Sequence, residues 1–581
     1  MQAGGVNDAI QYEADEGCPP LVALSVGLQG VLLAVAPLVL VVAITTRAGG
    51  QDESYLSWAV FAALIIAGVL TALQASRLWR LGAGHILIMG ATPNFVAVSV
   101  LALEGGGPPL LASLIVVASL FYLALAIWLP QLRRIITPVV SGTVLMLLAV
   151  TILPIALDRV QEVPDDVPGA TGPTVALITL AIATAMALRA SGRWRLWSPL
   201  IGIGVGTAVA AIFGAYDPQP LLDANWAGIP SGSGFPGFDF TPGAEFWALL
   251  PVFVVITLVG GVKNIGDSVA MQGASRRRPR VTDFRLVQGS LNTNGVGIFL
   301  SGLAGTPPTT VFSSTSVSLA SLTGVASRNV GYVIGGAFVV LALFPKLPAL
   351  VLTIPNPVMG AFLLTAIALL FVAGIRTVVQ DGLTAQKMLV VGIAFSLGAG
   401  VEHQTIFADL VGGTWGRLLD NGMLIGALAA VVMTAFLELT SPSQGGRLQS
   451  KLHADSLPEL DAFVRGIAGR LGWNEASLER LGAAAEEALM SLIPADQEAE
   501  ADDAPRLIVA AQPETGAVQM EFLAVFDEEN LEDRLAYLDE ESEGLQESEI
   551  SLRLLRHYAS SVHHQKYYGL DVVTVQVKGS R

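Results

Sequence analysis

The sequence is poor in two kinds of residue, cysteine and charged side chains. A single cysteine, Cys18, occurs in 581 residues, so the chain has neither an internal disulfide nor a metal cluster built from cysteines. Charged residues make up 14% of the chain, whereas soluble domains carry about 25%, which excludes a purely soluble globular protein. Neither half of the chain has the basic balance that nucleic-acid binding requires, so we predict no nucleic-acid partner.

What the sequence does contain is a long apolar portion followed by a short acidic one. Residues 1–440 hold 22 acids and 20 bases, and residues 441–581 hold 26 acids and 12 bases. Acidic residues near the N-terminus also argue against a cleavable signal peptide, which would be basic there. The composition predicts four parts: a cytoplasmic N-terminal segment (1–20), a membrane domain (21–440), a linker (441–450) and a cytoplasmic α+β domain (451–581).

Apolar runs recur from Leu21 onward with roughly the 17–25 residues that a helix needs to cross a bilayer. They predict fourteen spans, near 21–46, 56–74, 84–102, 109–129, 136–158, 173–189, 196–215, 246–271, 288–304, 311–324, 329–345, 347–371, 386–402 and 421–439. Basic residues follow the even-numbered spans, and the positive-inside rule then places both termini in the cytoplasm. We expect the protein in the plasma (inner) membrane. The basic residues are Arg77, Arg80, Arg133, Arg134, Arg189, Arg193, Arg195, Arg276, Arg277, Arg278, Arg280, Arg328 and Arg376, with Lys346 and Arg417 as exceptions on the other side.

The third and tenth spans are the weakest, because Gly, Pro, Ser and Thr interrupt them. They occupy equivalent places in two sets of seven spans with opposite orientation. Such a pair of interrupted segments marks the binding site of a transporter, since unwound backbone in a bilayer survives only where it is buried in protein or lines a cavity. We therefore predict a polytopic α-helical membrane protein with two inverted seven-span repeats and a small α/β domain at its C-terminus.

Span three is interrupted at Gly90 and Pro93, which predict an extended turn followed by a half-helix. Asn94 would offer hydrogen bonds beside this half-helix, and Phe95 would offer a flat face for stacking. The alternative for Phe95 is an ordinary packing aromatic. We therefore place Asn94 and Phe95 among the candidate substrate-binding residues.

Span eight carries two ionisable side chains, Lys263 and Asp267, in an otherwise apolar helix. Residues four apart share a helix face, so these two side chains can meet. Ionisable groups in membrane helices are costly, and they usually face a pathway and pair with one another. The alternatives are an ion pair that serves only helix packing, and an Asp267 side chain that reaches toward the cytoplasmic arginines.

Span ten carries eight hydroxyl side chains between Thr309 and Ser321 and no acid. A half-helix N-terminus with hydroxyl groups can bind a polar or anionic ligand. The alternative is a packing seam of small hydroxyl residues between helices. The candidate ligands here are Ser313, Ser314, Thr315 and Ser316.

These segments together resemble the nucleobase–ascorbate transporter family, the xanthine/uracil permeases, over about residues 21–440. The resemblance implies a core domain and a gate domain that move by alternating access, with spans three and ten as short strands followed by half-helices. It further implies a homodimer, and it makes Gln29 a substrate-binding candidate. The motifs that carry it are Gly27-Leu-Gln-Gly30, Pro138-Val-Val-Ser-Gly-Thr143, Val262-Lys-Asn-Ile-Gly-Asp267, Thr306-Pro-Pro-Thr-Thr, Leu322-Thr-Gly-Val-Ala-Ser-Arg328 and Ile354-Pro-Asn-Pro-Val-Met-Gly360.

The chain departs from this family at both nucleobase ligands. The family usually has a glutamate where this chain has Lys263, and a Gln/Glu-Asn pair where this chain has Thr315 and Ser316, or Ser313 by the other count. A cation in place of an acceptor would repel an N–H donor edge and attract an anion. We therefore expect an anionic solute: urate, another deprotonated heterocycle, a carboxylate or an inorganic anion.

The predicted function is secondary active transport of such a small molecule, with no enzymatic activity, no cofactor and no metal site. The coupling ion, H⁺ or Na⁺, is left open, and Asp267 is the candidate proton site. Two alternatives stay open: a membrane solute sensor that signals through the C-terminal domain, and an ordinary proton-coupled nucleobase symporter.

The C-terminal domain resembles the anti-sigma-factor type of histidine-kinase-like ATPase in its order of elements. Its nucleotide site differs, because Ser491 replaces the Mg²⁺-binding asparagine and residues 527–530 lack the glycines that wrap phosphates. These departures favour a non-hydrolysing module with an interaction or regulatory role, and we expect a cytoplasmic protein partner at its acidic surface. His563 and His564 are expected to be surface residues before the last strand. The predicted helices are 457–471, 477–493 and 550–561, and the predicted strands are 506–511, 518–525 and 572–578.

Overall fold

The chain divides into two compact units, Met1–Pro279 with Leu286–Leu439, and Arg280–Arg285 with Thr440–Arg581. The first unit is helical, and the second is built on a sheet. The computed structural model describes residues 10–127, 137–190, 193–230, 234–238, 243–277, 282–380, 384–401, 422–440, 446–493, 505–514, 517–525, 555, 558–567 and 570–580.

Long apolar helices make up most of the first unit. The helices are α1 (Pro20–Ala48), α2 (Glu53–Ala75), α3 (Val96–Ile127), α4 (Pro138–Gln161), α5 (Thr171–Arg189), α6 (Arg193–Ile212), α7 (Gln219–Asp223), α8 (Ala244–Ala274), α9 (Phe284–Ala304), α10 (Ser313–Thr323), α11 (Arg328–Ala342), α12 (Lys346–Leu352), α13 (Asn356–Gln380), α14 (Ala385–Val401) and α15 (Gly422–Thr440). Within the described ranges, seven segments are long and apolar enough to cross a membrane: α1, α2, Pro93–Ala124, α4, α5, α8 and Asn356–Val379. The first unit is therefore a multi-pass membrane body.

Local sequence sets the ends of these helices. Pro20 occupies the first turn of α1, where its fixed φ suits a helix start. Asp52 caps α2 by accepting a hydrogen bond from the backbone N–H of Tyr55 at 3.0 Å. Gly107 breaks α3 with a φ of 72°, a left-handed value that glycine adopts without strain. This break separates the segments predicted as spans three and four.

Two short strands interrupt the helices where the sequence predicts it. They are β1 (Met89–Ala91) and β3 (Thr309–Val311), and they pair antiparallel. All six residues are buried. A 3₁₀ turn, Pro93–Phe95, and α3 follow β1, and α10 follows β3. The prediction of a short strand followed by a helix at both places is confirmed.

The predicted twelfth span, 347–371, is wrong in its position. The chain forms the short helix α12 there, and a break before Asn356 precedes α13. Pro355 lies in this break, and the residue before a proline is disfavoured in helical conformation. Arg376 consequently lies inside α13 and not after it, and Arg417 lies outside the described residues.

The second unit is a mixed sheet with two helices packed on it. The strands in sheet order are β2 (Thr282–Asp283), β7 (Ser561–Tyr567), β8 (Leu570–Lys578), β6 (Ala517–Val525), β5 (Arg506–Glu514) and β4 (Gly446–Lys451), with β2–β7 parallel and the other pairs antiparallel. The helices are α16 (Leu457–Leu471) and α17 (Glu475–Leu492). Apolar side chains from both helices and from β5, β6 and β8 form one core.

The structure extends the predicted second unit in two places. β4 begins at Gly446, inside the range predicted as a linker, and β7 contains His563 and His564, which were expected to precede a strand. Most of the predicted helix at 550–561 and all of 527–530 lie outside the described residues. The predicted strands at 506–511, 518–525 and 572–578 and both earlier helices are confirmed.

Candidate functional site

The two interrupted segments cross at Gly90, which pairs with Thr310 across β1 and β3. The ring of Phe312 lies over this glycine, so a methyl group at position 90 would be 2.5 Å from Cε2 of Phe312. The hydroxyl groups of Thr92 and Thr310 add a hydrogen bond of 2.9 Å between the segments. The strands satisfy each other's backbone groups, which lipid could not do.

A helix N-terminus follows each strand of this pair. Thr92 precedes the 3₁₀ turn and Phe312 precedes α10, and neither side chain caps the helix that it precedes. The first N–H groups of a helix carry the positive end of its dipole. These two helix starts are therefore suited to a polar or anionic ligand.

Lys263 and Asp267 form an ion pair one turn apart on α8, as the sequence predicts. Nζ of Lys263 lies 3.5 Å from Oδ2 of Asp267, and the two side chains are 25% and 16% exposed. Helix α8 packs against α3 and α10, the helices that follow β1 and β3. The ammonium group is thus balanced by one carboxylate, and an incoming anion would share Lys263 with Asp267.

A buried polar network holds the same turn of α8, and the sequence analysis did not identify it. The hydroxyl oxygen of Tyr122 accepts hydrogen bonds from Nδ2 of Asn264 at 3.2 Å and from Nδ2 of Asn294 at 2.7 Å. Oγ of Ser290 donates to Oδ1 of Asn264 at 3.3 Å. All four side chains are buried. Because Asn264 follows Lys263, the network fixes the backbone that carries the cation.

Ser316, a predicted substrate ligand, uses its hydroxyl group to join α10 to β1. Its Oγ accepts a hydrogen bond from the backbone N–H of Ile88 at 2.9 Å. It donates to the carbonyl oxygen of Phe312 at 2.8 Å. The residue is fully buried, so its hydroxyl proton already has an acceptor within the protein.

The other predicted ligands differ in their exposure. Asn94 and Phe95 lie in the 3₁₀ turn and are buried, with 6% and 2% of their surface exposed. Gln29 lies on an exposed face of α1, and Thr315 is half-buried on α10. Ser313 and Ser314 form the first turn of α10, and their side chains lie outside the described part of the structure.

The arrangement holds one cation, its carboxylate partner and two helix N-termini in the membrane body of the chain. Paired, interrupted segments of this kind are typical of membrane transport proteins, and they favour the permease class.

The comparisons with known proteins agree with this class. The family model Xan_ur_permease, described as "Permease family", matches residues 22–407. The chain belongs to this family of xanthine/uracil permeases and is a transporter, not an enzyme.

Curated relatives in this family are about one quarter identical to the chain. "Uric acid permease PucK" of Bacillus subtilis is 27% identical over 425 residues, with 72% of this chain and 96% of that protein covered. "Xanthine permease XanP" of Escherichia coli is 27% identical over 399 residues, with 66% of this chain and 84% of that protein covered. Among solved structures, the transmembrane domain of a cyanobacterial bicarbonate transporter, BicA, is similar with a TM-score of 0.46 and 15% identity, covering 71% of this chain and 97% of that one.

Proposed function

We propose that the protein is a secondary active transporter that carries a small anionic solute, a urate-like heterocycle, by alternating access. The observation that carries this proposal is Lys263, a cation in the membrane helix α8, held 3.5 Å from Asp267. A charge-assisted hydrogen bond from an ammonium group favours an anionic ligand over a neutral one. The names of two relatives, a uric acid permease and a xanthine permease, support a purine-like cargo.

We further propose H⁺ as the coupling ion, bound at Asp267. An anion that reaches Lys263 competes with the carboxylate of Asp267 for one ammonium group. Protonation of Asp267 removes this competition and keeps the site neutral once the anion is bound, which lowers the electrostatic cost in a membrane interior. Solute and proton would then move together.

We also propose that the membrane body has fourteen spans in two inverted repeats, that it forms homodimers and that both termini are cytoplasmic. The antiparallel pairing of β1 with β3 supports the inversion, because two segments related by a two-fold axis in the membrane plane run in opposite directions. Each strand is also followed by a helix in the same order. Labelling of single introduced cysteines from either side of the membrane, in a Cys18→Ser background, tests the orientation of each loop.

The test of transport is uptake of radiolabelled urate by proteoliposomes that contain the full-length protein. An inward proton gradient should drive time-dependent, saturable accumulation, and a protonophore should abolish it. Urate binding without accumulation would instead support a membrane sensor. In Asp267→Asn we expect urate binding to persist while the response to the proton gradient is lost.

For the second unit we propose a regulatory module that binds a cytoplasmic protein and does not hydrolyse ATP. The hydroxyl group of Ser491 donates to the carbonyl oxygen of Ala488 within α17 at 2.8 Å, so it is bound to its own helix. Full-length protein should bind no ATP analogue in equilibrium dialysis. Saturable, Mg²⁺-dependent binding would contradict this assignment.

A further inference from the structure

An irregular segment near the N-terminus, residues 10–18, is anchored to the membrane body; we call it the N-terminal clamp. Three of its apolar side chains, Ile10, Ala14 and Cys18, are buried, with 2%, 0% and 8% of their surface exposed. The segment forms bends and turns and no regular helix or strand. Its backbone groups therefore depend on tertiary partners for their hydrogen bonds.

The backbone of the clamp pairs with the chain directly after α10. The N–H groups of Gln11 and Tyr12 both donate to the carbonyl oxygen of Gly324, at 2.7 and 3.2 Å. The N–H of Ala326 donates to the carbonyl oxygen of Tyr12 at 2.8 Å. Gly324 ends α10 in a left-handed conformation, so the clamp is fixed to the terminus of that helix.

The same segment binds Arg277, which lies three residues after α8. The guanidinium group of Arg277 donates to both carboxylate oxygens of Glu16, at 2.8 and 2.6 Å. It also donates to the carbonyl oxygens of Ile10, at 3.0 Å, and of Gln11. The backbone N–H of Arg277 donates to Oε1 of Glu13 at 2.7 Å. A bidentate arginine–carboxylate pair fixes orientation as well as distance.

Two further arginines hold the clamp from neighbouring elements. Arg276 lies 3.3 Å from a carboxylate oxygen of Asp15 and 3.7 Å from one of Glu13. Arg77, just after α2, lies 2.8 Å from the other carboxylate oxygen of Asp15. The sequence analysis used these arginines only to orient the membrane spans. In the structure they also form ion pairs with specific acidic residues of the clamp.

The clamp joins the ends of the two helices that carry the candidate site. Helix α8 carries Lys263, and α10 starts at the crossing with β1. From Lys263 to its last residue, Ala274, helix α8 rises about 16 Å, so a displacement of the end held by the clamp is transmitted along the helix to the cation. A shift of its cytoplasmic end relative to that of α10 would change the distance from Lys263 to the start of α10.

We propose that Arg277 is a positioning residue for the transport site: through Glu16 it holds the cytoplasmic ends of α8 and α10 together, and it thereby sets the geometry between Lys263 and α10. This inference rests on the proposed function for its effect on the solute. The attachment of the clamp to the ends of α8 and α10 rests only on the hydrogen bonds and ion pairs described above.

The single native cysteine provides a direct probe of the clamp. Cys18 is buried at the end of the clamp, so its rate of labelling by a maleimide in purified full-length protein reports release of the segment. We expect Arg277→Ala to raise this rate by about tenfold or more, as for loss of a local closed state. Arg277→Lys should have a smaller effect, and the exchanged pair Glu16→Arg/Arg277→Glu should restore part of the protection.

Hydrogen exchange separates a positioning role from a local one. In Arg277→Ala we expect faster amide exchange in the clamp and also in residues 260–274 and 309–323, together with an affinity for urate about tenfold weaker. Faster exchange confined to residues 10–18, with unchanged urate affinity, would overturn the proposal. Arg465→Ala is the matched control, because Arg465 forms an exposed ion pair with Asp461 in the second unit.

Two provisions keep the test decisive. If Arg277→Ala fails to fold, Glu16→Gln removes the same ion pair with a milder change and should show the same pattern. If the wild-type protein binds no urate, the proposed cargo is wrong, while exchange and labelling still decide whether the clamp controls α8 and α10. Unchanged labelling of Cys18 in both variants would contradict the clamp itself.

Discussion

Nζ of Lys263 lies 3.5 Å from Oδ2 of Asp267, one turn further along the same membrane helix. Lys263 lies where the resemblance to the family predicts a glutamate. The ion pair explains how a lysine is tolerated in this helix, because its charge is compensated before any solute arrives.

Replacing the lysine should weaken binding of an anion. For Lys263→Gln we expect a loss of about 1.5–3 kcal/mol in urate binding, because a hydrogen bond to a charged group is lost, or roughly 10- to 150-fold in affinity. Ligand-induced thermal stabilisation measures this loss. Lys578→Gln, at an exposed lysine of the second unit, is the control, and an unchanged affinity in Lys263→Gln would reduce Lys263 to a packing residue.

The crossing of the two interrupted segments should not accept a side chain at position 90. Gly90→Ala places a methyl group 2.5 Å from Cε2 of Phe312, and overpacking of this kind costs about 1–3 kcal/mol. We expect a lower unfolding temperature, which the double variant Gly90→Ala/Phe312→Leu should partly recover. Gly336→Ala has no heavy atom within 4 Å of the new methyl group and should leave the unfolding temperature nearly unchanged.

Removing the hydroxyl group of Ser316 should act on stability more than on affinity. Ser316→Ala leaves the buried N–H of Ile88 without its acceptor, at a cost of about 1–3 kcal/mol. Thermal unfolding and urate binding, measured on the same preparation, separate the two effects. Ser318→Ala, on the same helix and half-buried, is the control. A loss of affinity with unchanged unfolding would show that Ser316 binds the solute directly.

The N-terminal clamp should open in acid. The hydrogen bonds from Arg277 hold the pKa of Glu16 below its usual value, and the backbone N–H of Glu13 acts in the same direction. A lowered pKa means that the stabilisation is complete above the usual glutamate value and is lost as the pH falls through the lowered one. Four further charged groups belong to the same cluster of contacts: Glu13, which accepts from the backbone of Arg277, Asp15, and Arg77 and Arg276, which bind these two acids.

Labelling of Cys18 against pH measures this opening. We expect a constant opening equilibrium, after correction for thiol ionisation, from pH 8 down to about 5, and an increase only below the ordinary glutamate pKa of about 4.3. Glu16→Gln should show greater opening than the wild type above about pH 5, and a weaker dependence on acid, because the wild-type carboxylate loses its charge at low pH. An increase that begins near neutral pH would contradict the assignment to Glu16.

Features that depend on local sequence could be predicted, and features that depend on tertiary contacts could not. The ion pair of Lys263 with Asp267 follows from a spacing of four residues on a helix. The breaks at β1 and β3 follow from residues such as Pro93 that disfavour a continuous helix. Helix α1, predicted as 21–46 and observed as Pro20–Ala48, follows from a long apolar run.

The contacts around the site join residues that are far apart in sequence. Tyr122 meets Asn264 across 142 positions, and Glu16 meets Arg277 across 261. No local pattern marks such partners, so the acidic residues near the N-terminus could not be matched with the arginines that they bind. Span twelve was misplaced for a related reason: α12 and α13 are both apolar, and hydropathy alone does not show the break at Pro355.

The most direct test of the central claim is competition for urate uptake in proteoliposomes that contain full-length wild-type protein or Lys263→Glu. If the charge at position 263 selects the cargo, unlabelled urate should compete with labelled urate in the wild type and neutral uracil should not. Lys263→Glu should lose urate uptake. Uracil competing as strongly as urate in the wild type, or urate uptake that survives in Lys263→Glu, would contradict the account.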